Sequence, residues 1–251
     1  MSTVTIRTRR GFLATAGFAA AALALSWAPA MQAQQVPQTK QPRKIGIIGS
    51  GNQGGSIGLL WAQAGHEVLF SSRHPEELKD LVAKAGPKAK AGLPQDAASF
   101  GDVVLIAVPY GALPQVGRDH AAAMKGKVVI ELGNPREDRD GPMAADAMKR
   151  GTGVTSAEFL PGVRLVRALN ALSFTQVQKD AHRPGEKLGV PVAGDDPAAV
   201  AVAVQLVTDA GFEPVVVGGL ARAREFDRNT AVYVKGMTAK QIRDTLKLPP
   251  Q

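Results

Sequence analysis

The sequence predicts an α/β protein: a doubly wound, mostly parallel sheet with helices on both faces, built as a single domain. Three observations carry that expectation. Apolar runs of strand length alternate with helix-length segments from Lys44 onward. The first run is followed at once by Gly49-Ser50-Gly51-Asn52-Gln53-Gly54, a G-x-G-x-x-G loop that opens an amphipathic stretch. No internal repeat divides the chain.

In chain order, strands are expected near Lys44–Ile48, Glu67–Ser71, Val103–Val108, Val128–Leu132, Leu165–Ala168, Val190–Ala193 and Glu213–Val217. The segments between them read as helices at Gln53–Ala64, Pro75–Lys84, Leu113–Met124, Met143–Arg150, Phe174–Asp180 and Pro197–Ala210. From about residue 218 the chain reads as a helical or irregular extension ending in a helix near Thr238–Leu246.

Composition narrows the function classes. The 251 residues are 45% apolar and 21% charged, an ordinary globular balance. The formal charge of +8 falls to +5 without Arg7, Arg9 and Arg10. The remaining cations are scattered among acids and aromatics are only 5%, which argues against nucleic acid and suits anionic small molecules. With no cysteine there is no disulfide, thiolate nucleophile or cysteine-held cluster. The four histidines, His66, His74, His120 and His182, are far apart, so no metal site is expected.

The Gly loop carries the chemistry. Gly49 permits a tight turn, Gly51 lets backbone approach a pyrophosphate, and Gly54 allows a helix to pack closely on a strand. The N–H groups of the first helical turn then face the phosphates. About twenty residues later, where an NAD-specific fold places Asp or Glu on the ribose, the chain has Ser72 and Arg73. Hydroxyl and guanidinium suit a 2′-phosphate, which favours NADP(H); the alternative is a solvated loop capping the helix at Pro75. Val108-Pro109 and Asn134-Pro135 fall at the carboxyl ends of two strands, the edge where ligands bind in open α/β sheets, or serve only as turns. Asn170 is a third polar candidate at that edge, with a helix cap as its alternative. Asp195-Asp196-Pro197 reads as a turn and N-cap. No catalytic side chain is named.

The opening residues carry a different message. Residues 1–10 are basic, no charge lies between Gly11 and Thr39, and small residues allow cleavage after Ala30 or Ala33. A membrane anchor is the alternative, made less apt by the many alanines and Pro29. Arg9-Arg10 before Gly11-Phe12-Leu13 is similar to a twin-arginine signal. The expected organisation is a signal over 1–33, a linker over 34–42 and a domain over 43–251. A chain using that export machinery travels folded, so it is expected in the periplasm with its dinucleotide captured beforehand.

With the Gly loop, "SSR", "AVP", "NP", "ALN" and "GDDP" in this order, Lys44 to about Arg224 resembles the coenzyme F420-dependent NADP oxidoreductase family. That family shares its domain with STEAP-type membrane metalloreductases and, more distantly, with pyrroline-5-carboxylate reductases. The resemblance implies hydride transfer between NADP(H) and a deazaflavin (coenzyme F420), flavin or related small-molecule acceptor. It implies Ser50, Gly51, Asn52 and Gln53 at the pyrophosphate and Ser72 and Arg73 at the 2′-phosphate. Val108, Pro109 and Asn134 would lie near the nicotinamide ribose, and Asn170 to Ser173 beside the acceptor. Two alternatives stand beside it: an exported, non-catalytic NADP-binding module, and a metal-chelate or quinone reductase component. The export leader departs from a mostly cytoplasmic family, and no long helical second domain of the kind in hydroxyacid dehydrogenases and pyrroline-carboxylate reductases is expected from these residues. An uncovered sheet edge or helix face leaves room for a homodimer.

Overall fold

The computed structural model describes residues 41–249. The expected signal over 1–33 and most of the linker lie outside the described residues. The first half of the fold runs β1 (Lys44–Ile48), α1 (Asn52–Gln63), β2 (Glu67–Ser71), α2 (Lys79–Ala85), β3 (Ala89–Gly92), α3 (Pro94–Phe100), β4 (Val103–Ile106) and α4 (Leu113–Met124). There follow β5 (Val128–Glu131), α5 (Glu137–Asp140), α6 (Pro142–Arg150), α7 (Thr152–Phe159), β6 (Arg164–Ala168) and α8 (Phe174–Asp180). The chain ends with β7 (Gly189–Gly194), α9 (Pro197–Asp209), β8 (Glu213–Gly218) and α10 (Ala239–Thr245).

The strands form one sheet in the order β3-β2-β1-β4-β5-β6-β7-β8. Every neighbouring pair is parallel except β6 with β7. The order reverses between β1 and β4, so the crevice beyond their carboxyl ends is the topological switch point, where such sheets bind ligands. This is the doubly wound Rossmann-type architecture that the Gly loop predicts.

Close approach explains the centre of the sheet. After Lys44, the residues Ile45 to Ile48 are all buried, as expected of a strand covered on both faces. A Cβ on Gly46 would collide with the Ala97 carbonyl, so α3 lies directly on β1. On α1, Ile57, Gly58 and Trp61 are buried, and the Trp61 indole N–H donates to Leu206 O at 2.8 Å, fastening α1 to α9.

Several elements differ from the sequence expectation. β4 stops at Ile106 and β5 at Glu131, short of Val108 and Leu132. After Ala107 donates to Ile48 O at 2.9 Å, the chain turns out of the sheet toward Pro109, which has no N–H to continue the ladder. The helix expected from Pro75 begins as a 3-10 turn, Pro75–Leu78, before α2. β3, α3, α5 and α7 were not expected. β3 is the edge strand "AKAG", with too few apolar residues to show a period. α7 buries Gly153, Thr155 and Ser156 rather than an apolar stripe, and a Cβ on Gly153 would strike the Leu220 carbonyl. Tertiary packing, not periodicity, makes it a helix.

The C-terminal segment opens with a 3-10 turn at Leu220–Glu225 and covers the β7–β8 end of the sheet. Val215, Val217, Ala223, Phe226, Val232, Ala239 and Ile242 are buried together there. Thr238 caps α10, its hydroxyl accepting the Gln241 N–H at 3.3 Å. No helix among the described residues is long and apolar enough to cross a membrane.

Candidate functional site

Two clefts lie over the switch point and meet at Val108 and Pro109. The first, about 760 Å³, runs from Gly49, Ser50 and Gly51 past Ser71, Ser72 and Arg73 toward Leu78, Pro94 and Val116. The second, about 570 Å³, is lined by Asn52, Gln53, Asn134, Asn170 and Ser173, with Phe174, Tyr233 and Val234 on an apolar side. Arg228 lines it too, as do Arg136 and Arg139, which are ion-paired with Asp138 and Asp140.

The loop between β1 and α1 is built for close approach. Gly49 sits at φ +97, and a Cβ on it would lie 2.6 Å from Ala107 O. A Cβ on Gly51 would meet nothing within 4 Å, which leaves an open cradle beside its backbone. Gly54 is buried on α1, where a Cβ would collide with Gly49 O and press on Ala107. No side chain caps the start of α1, so its first N–H groups remain available to an anion. These features fit a dinucleotide pyrophosphate.

Ser50 and Gln53 have further duties. The Ser50 N–H donates to Ser71 O at 3.0 Å and its hydroxyl oxygen accepts the Ser71 N–H at 2.9 Å, tying the loop to the end of β2. Its own O–H is then what Ser50 has left to offer a phosphate. The Gln53 amide donates to Leu172 O at 3.0 Å and Leu169 O at 3.4 Å, pinning α1 to the loop after β6. The Gln53 side chain is therefore committed to those two carbonyls, and the residue lines the second cleft.

At the end of β2, Ser72 Oγ accepts the His74 N–H at 3.1 Å, the turn named as the alternative. The hydroxyl proton is still free to donate, and Arg73 lines the same cleft, so the turn and a phosphate role are compatible. Asn170 is not a helix cap: Ser173 caps α8, accepting the Gln176 N–H at 3.2 Å. Asn170 instead pairs with Asn134, whose amide donates to Asn170 O at 2.9 Å. Pro135 is buried and lines neither cleft, facing Met148, Arg224 and Asp227 instead. The structure thus places Pro135 in the turn that follows Asn134, away from the surface of both clefts. Asp196 is the N-cap of α9, as expected.

Sequence reasoning missed much of the second cleft. Arg136 and Arg139 follow the Asn-Pro pair in "NPREDR", a signal for a charged loop at the binding edge. Tyr233 and Val234 arrive from the C-terminal extension, with no local motif. Val234 holds φ 50, unusual for a β-branched residue, and its N–H donates to Ala171 O at 2.8 Å. Leu169, next to Asn170, is also left-handed at φ 66. Such backbone persists only where surroundings impose it, and it clusters at binding sites.

Behind the second cleft lies a buried polar cluster with no sequence warning. Glu131 and Arg167 are neighbours in the β5–β6 register, 1% and 0% exposed, and form an ion pair. Every partner of the Glu131 carboxylate is a donor: Arg167, the Gly133 N–H and the Ser156 hydroxyl at 2.9 Å. Burial pushes the Glu131 carboxyl above its ordinary range, while Arg167 pulls the other way. Burial opposes the Arg167 charge, but Glu131 and Asp227 outweigh it and hold the guanidinium above its usual value. Among the described residues no cluster of His, Asp and Glu is arranged to hold a metal.

Fold and site thus define a Rossmann-type dinucleotide-binding domain. Residues 44–135 match the family described as NADP oxidoreductase, coenzyme F420-dependent. The chain is similar to an F420-dependent NADP reductase of Methanothermobacter thermautotrophicus, 27% identical over 215 residues, covering 80% of this chain and 92% of the relative. It is also similar to the metalloreductase STEAP3 of Rattus norvegicus, 26% identical over 191 residues and 75% of this chain, but spans only 36% of that protein. Among solved structures, a hypothetical protein from Sinorhizobium meliloti superposes with a TM-score of 0.68 at 22% identity, covering 79% of this chain and 96% of that one.

Proposed function

We propose that the chain is an NADP(H)-dependent oxidoreductase that moves hydride between NADP(H) and a flat redox acceptor, a deazaflavin of the F420 type or a flavin. The observation that carries the reading is the meeting of two clefts at Val108 and Pro109, one with a phosphate cradle, the other with room for a second ring system. The similarity of residues 44–135 to the F420-dependent NADP oxidoreductases supports it. When bound, NADPH supplies the hydride.

The chain's own residues do the rest by placement. The open backbone at Gly51 and the first N–H groups of α1 hold the pyrophosphate, and Ser72 and Arg73 hold the 2′-phosphate. Val108 and Pro109 form the floor where the two clefts join. Asn134 and Asn170, locked to each other, present amide groups beside it, while Phe174, Tyr233 and Val234 limit water. Arg228, beside Arg136 and Arg139 that are already paired with Asp138 and Asp140, favours an acceptor with an anionic substituent. No side chain is required as acid or base for hydride transfer itself.

The test is anaerobic incubation of the full chain with NADPH and, separately, oxidised coenzyme F420, FMN or a ferric chelate. Consumption of NADPH in step with reduction of F420 or FMN is expected. Reduction of the ferric chelate alone would favour a metalloreductase component, and binding without turnover would leave a non-catalytic module. The first 33 residues, read as a twin-arginine signal, extend the proposal to a periplasmic enzyme that takes its cofactor with it.

A further inference from the structure

We propose that the buried ionic cluster centred on Arg167 is the positioning device of the second cleft, holding its three separate loops in register with one another. This rests on reading that cleft as the acceptor side. Each loop is tied to the cluster by named contacts. The loop after β5 is held when Arg167 Nη2 donates to Gly133 O at 2.9 Å and the Gly133 N–H donates to Glu131, leaving Asn134 at the cleft. The loop after β4 is held through Tyr110, whose hydroxyl lies 2.6 Å from Thr155 Oγ1 and 3.1 Å from Ser156 Oγ, with Ser156 donating to Glu131. Val108 and Pro109 directly precede that tyrosine.

The third tie reaches the C-terminal segment. Asp227 accepts the Thr152 N–H at 2.9 Å and the Thr152 hydroxyl, and stands 3.5 Å from Arg167 Nη2. Its neighbour Phe226 accepts from the Asn170 amide at 3.4 Å, and its other neighbour, Arg228, lines the cleft. The Arg167–Glu131 pair therefore joins residues 132–134 and 226–228 directly and residues 108–110 through Ser156, segments far apart in the chain.

Stability alone is a poor reason for this arrangement. Desolvating one cation and two carboxylates is costly, and well-packed apolar residues commonly replace such groups without loss. Arg167 Nε has no partner among the described residues, so the cluster is not even fully satisfied. What apolar replacements would not supply is directional contact with Gly133 O, the Gly133 N–H and Asp227. Hydride transfer needs donor and acceptor carbons at contact distance, and small misplacements are expensive in rate. Fixed loop geometry is what the cluster contributes.

The experiment compares the full chain with the double variant Glu131→Met/Arg167→Met, which removes the ion pair while keeping the volume filled. Amide hydrogen exchange is measured with NADP bound. Exchange over 108–110, 132–136 and 226–234 is expected to rise together by at least tenfold, while 49–55 and 72–78 stay unchanged. NADPH affinity should change less than threefold, and single-turnover reduction of F420 should fall about 100-fold. Unchanged exchange at the three loops, or a uniform rise across the chain, overturns the proposal. Should the double variant not fold, Tyr110→Phe removes one hydroxyl and is expected to loosen 108–110 first; no change there overturns it equally. A wild-type protein that binds NADPH and reduces no acceptor sinks the proposed function, whereas the exchange result judges the positioning role by itself.

Discussion

At the scale of single residues, two glycines two positions apart separate folding from binding. Gly49→Ala puts a side chain at φ +97 against Ala107 O, and should cost about 1–3 kcal/mol in chemical denaturation. Gly51→Ala meets open space, so the protein should fold as before yet lose NADPH affinity because the methyl occupies the cradle. Arg73→Ala should weaken NADPH by about 10- to 100-fold, the worth of a charge-assisted contact of roughly 1.5–3 kcal/mol, and leave NADH unchanged. Equal losses for both would remove Arg73 from the 2′-phosphate. Breaking the buried pair from one side, as in Arg167→Met alone, should cost about 3–5 kcal/mol, because Glu131 is left buried with its charge unanswered.

The residues legible in the sequence were those whose duty is local. A tight turn and a close helix approach declare themselves over a few positions, which is why Gly49 and Gly54 were legible, and a hydroxyl beside a guanidinium marked Ser72 and Arg73, which line the first cleft. Tyr233, Val234 and Arg228 reach the second cleft through the fold of the C-terminal segment, over more than a hundred intervening residues from Asn52. No spacing rule could announce them. Arg167 was hidden differently, as a charge inside an apolar strand whose partners sit on two other segments, at Glu131 and Gly133 and at Asp227.

At the scale of elements, caps and close packing decide what periodicity does not. α9 begins at Asp196, whose carboxylate accepts the Ala198 and Ala199 N–H groups at 2.9 and 3.1 Å and pairs with Arg164. The Arg164 guanidinium first, and then those backbone donors, hold its carboxyl well below its ordinary value of 3.8. A depressed folded-state pKa stabilises at neutral pH and is lost as pH falls below that ordinary value. Asp196→Asn should therefore melt below the wild type at pH 7, and the gap should close progressively in acid. A gap independent of pH would mean that the capping geometry matters and the charge does not.

The twelve-residue helices α1 and α4 were readable because burial imposes their period, and β1 because a continuous apolar run leads straight into the Gly loop. β3 and α7 were not, for opposite reasons. β3 is a short edge strand whose pairing with β2 is made by backbone, while α7 is held by close contacts of Gly153 and by the hydroxyls of Thr155 and Ser156. In both cases neighbours supply the reason for the element, and neighbours are absent from a sequence window.

At the scale of the whole molecule, the order reversal between β1 and β4 places the phosphate cradle, and the C-terminal segment closes the other side of the second cleft. A mostly parallel sheet with helices on both faces was foreseeable from alternation of strand and helix; the strand β3, the antiparallel β6–β7 pair and the closing of that cleft by residues 226–234 were not. The proposed export signal adds a prediction of its own. Native mass spectrometry of protein recovered from the exported fraction should find NADP(H) retained, since a folded chain carries its ligand with it. An empty exported protein would place the working form elsewhere.

The central claim is that the first cleft is an NADP(H) site rather than a general nucleotide surface. Calorimetric titration of the full chain with NADPH and with NADH tests it most directly. One site per chain is expected, with NADPH bound at least tenfold more tightly than NADH. Equal affinities, or tighter binding of NADH, would contradict it.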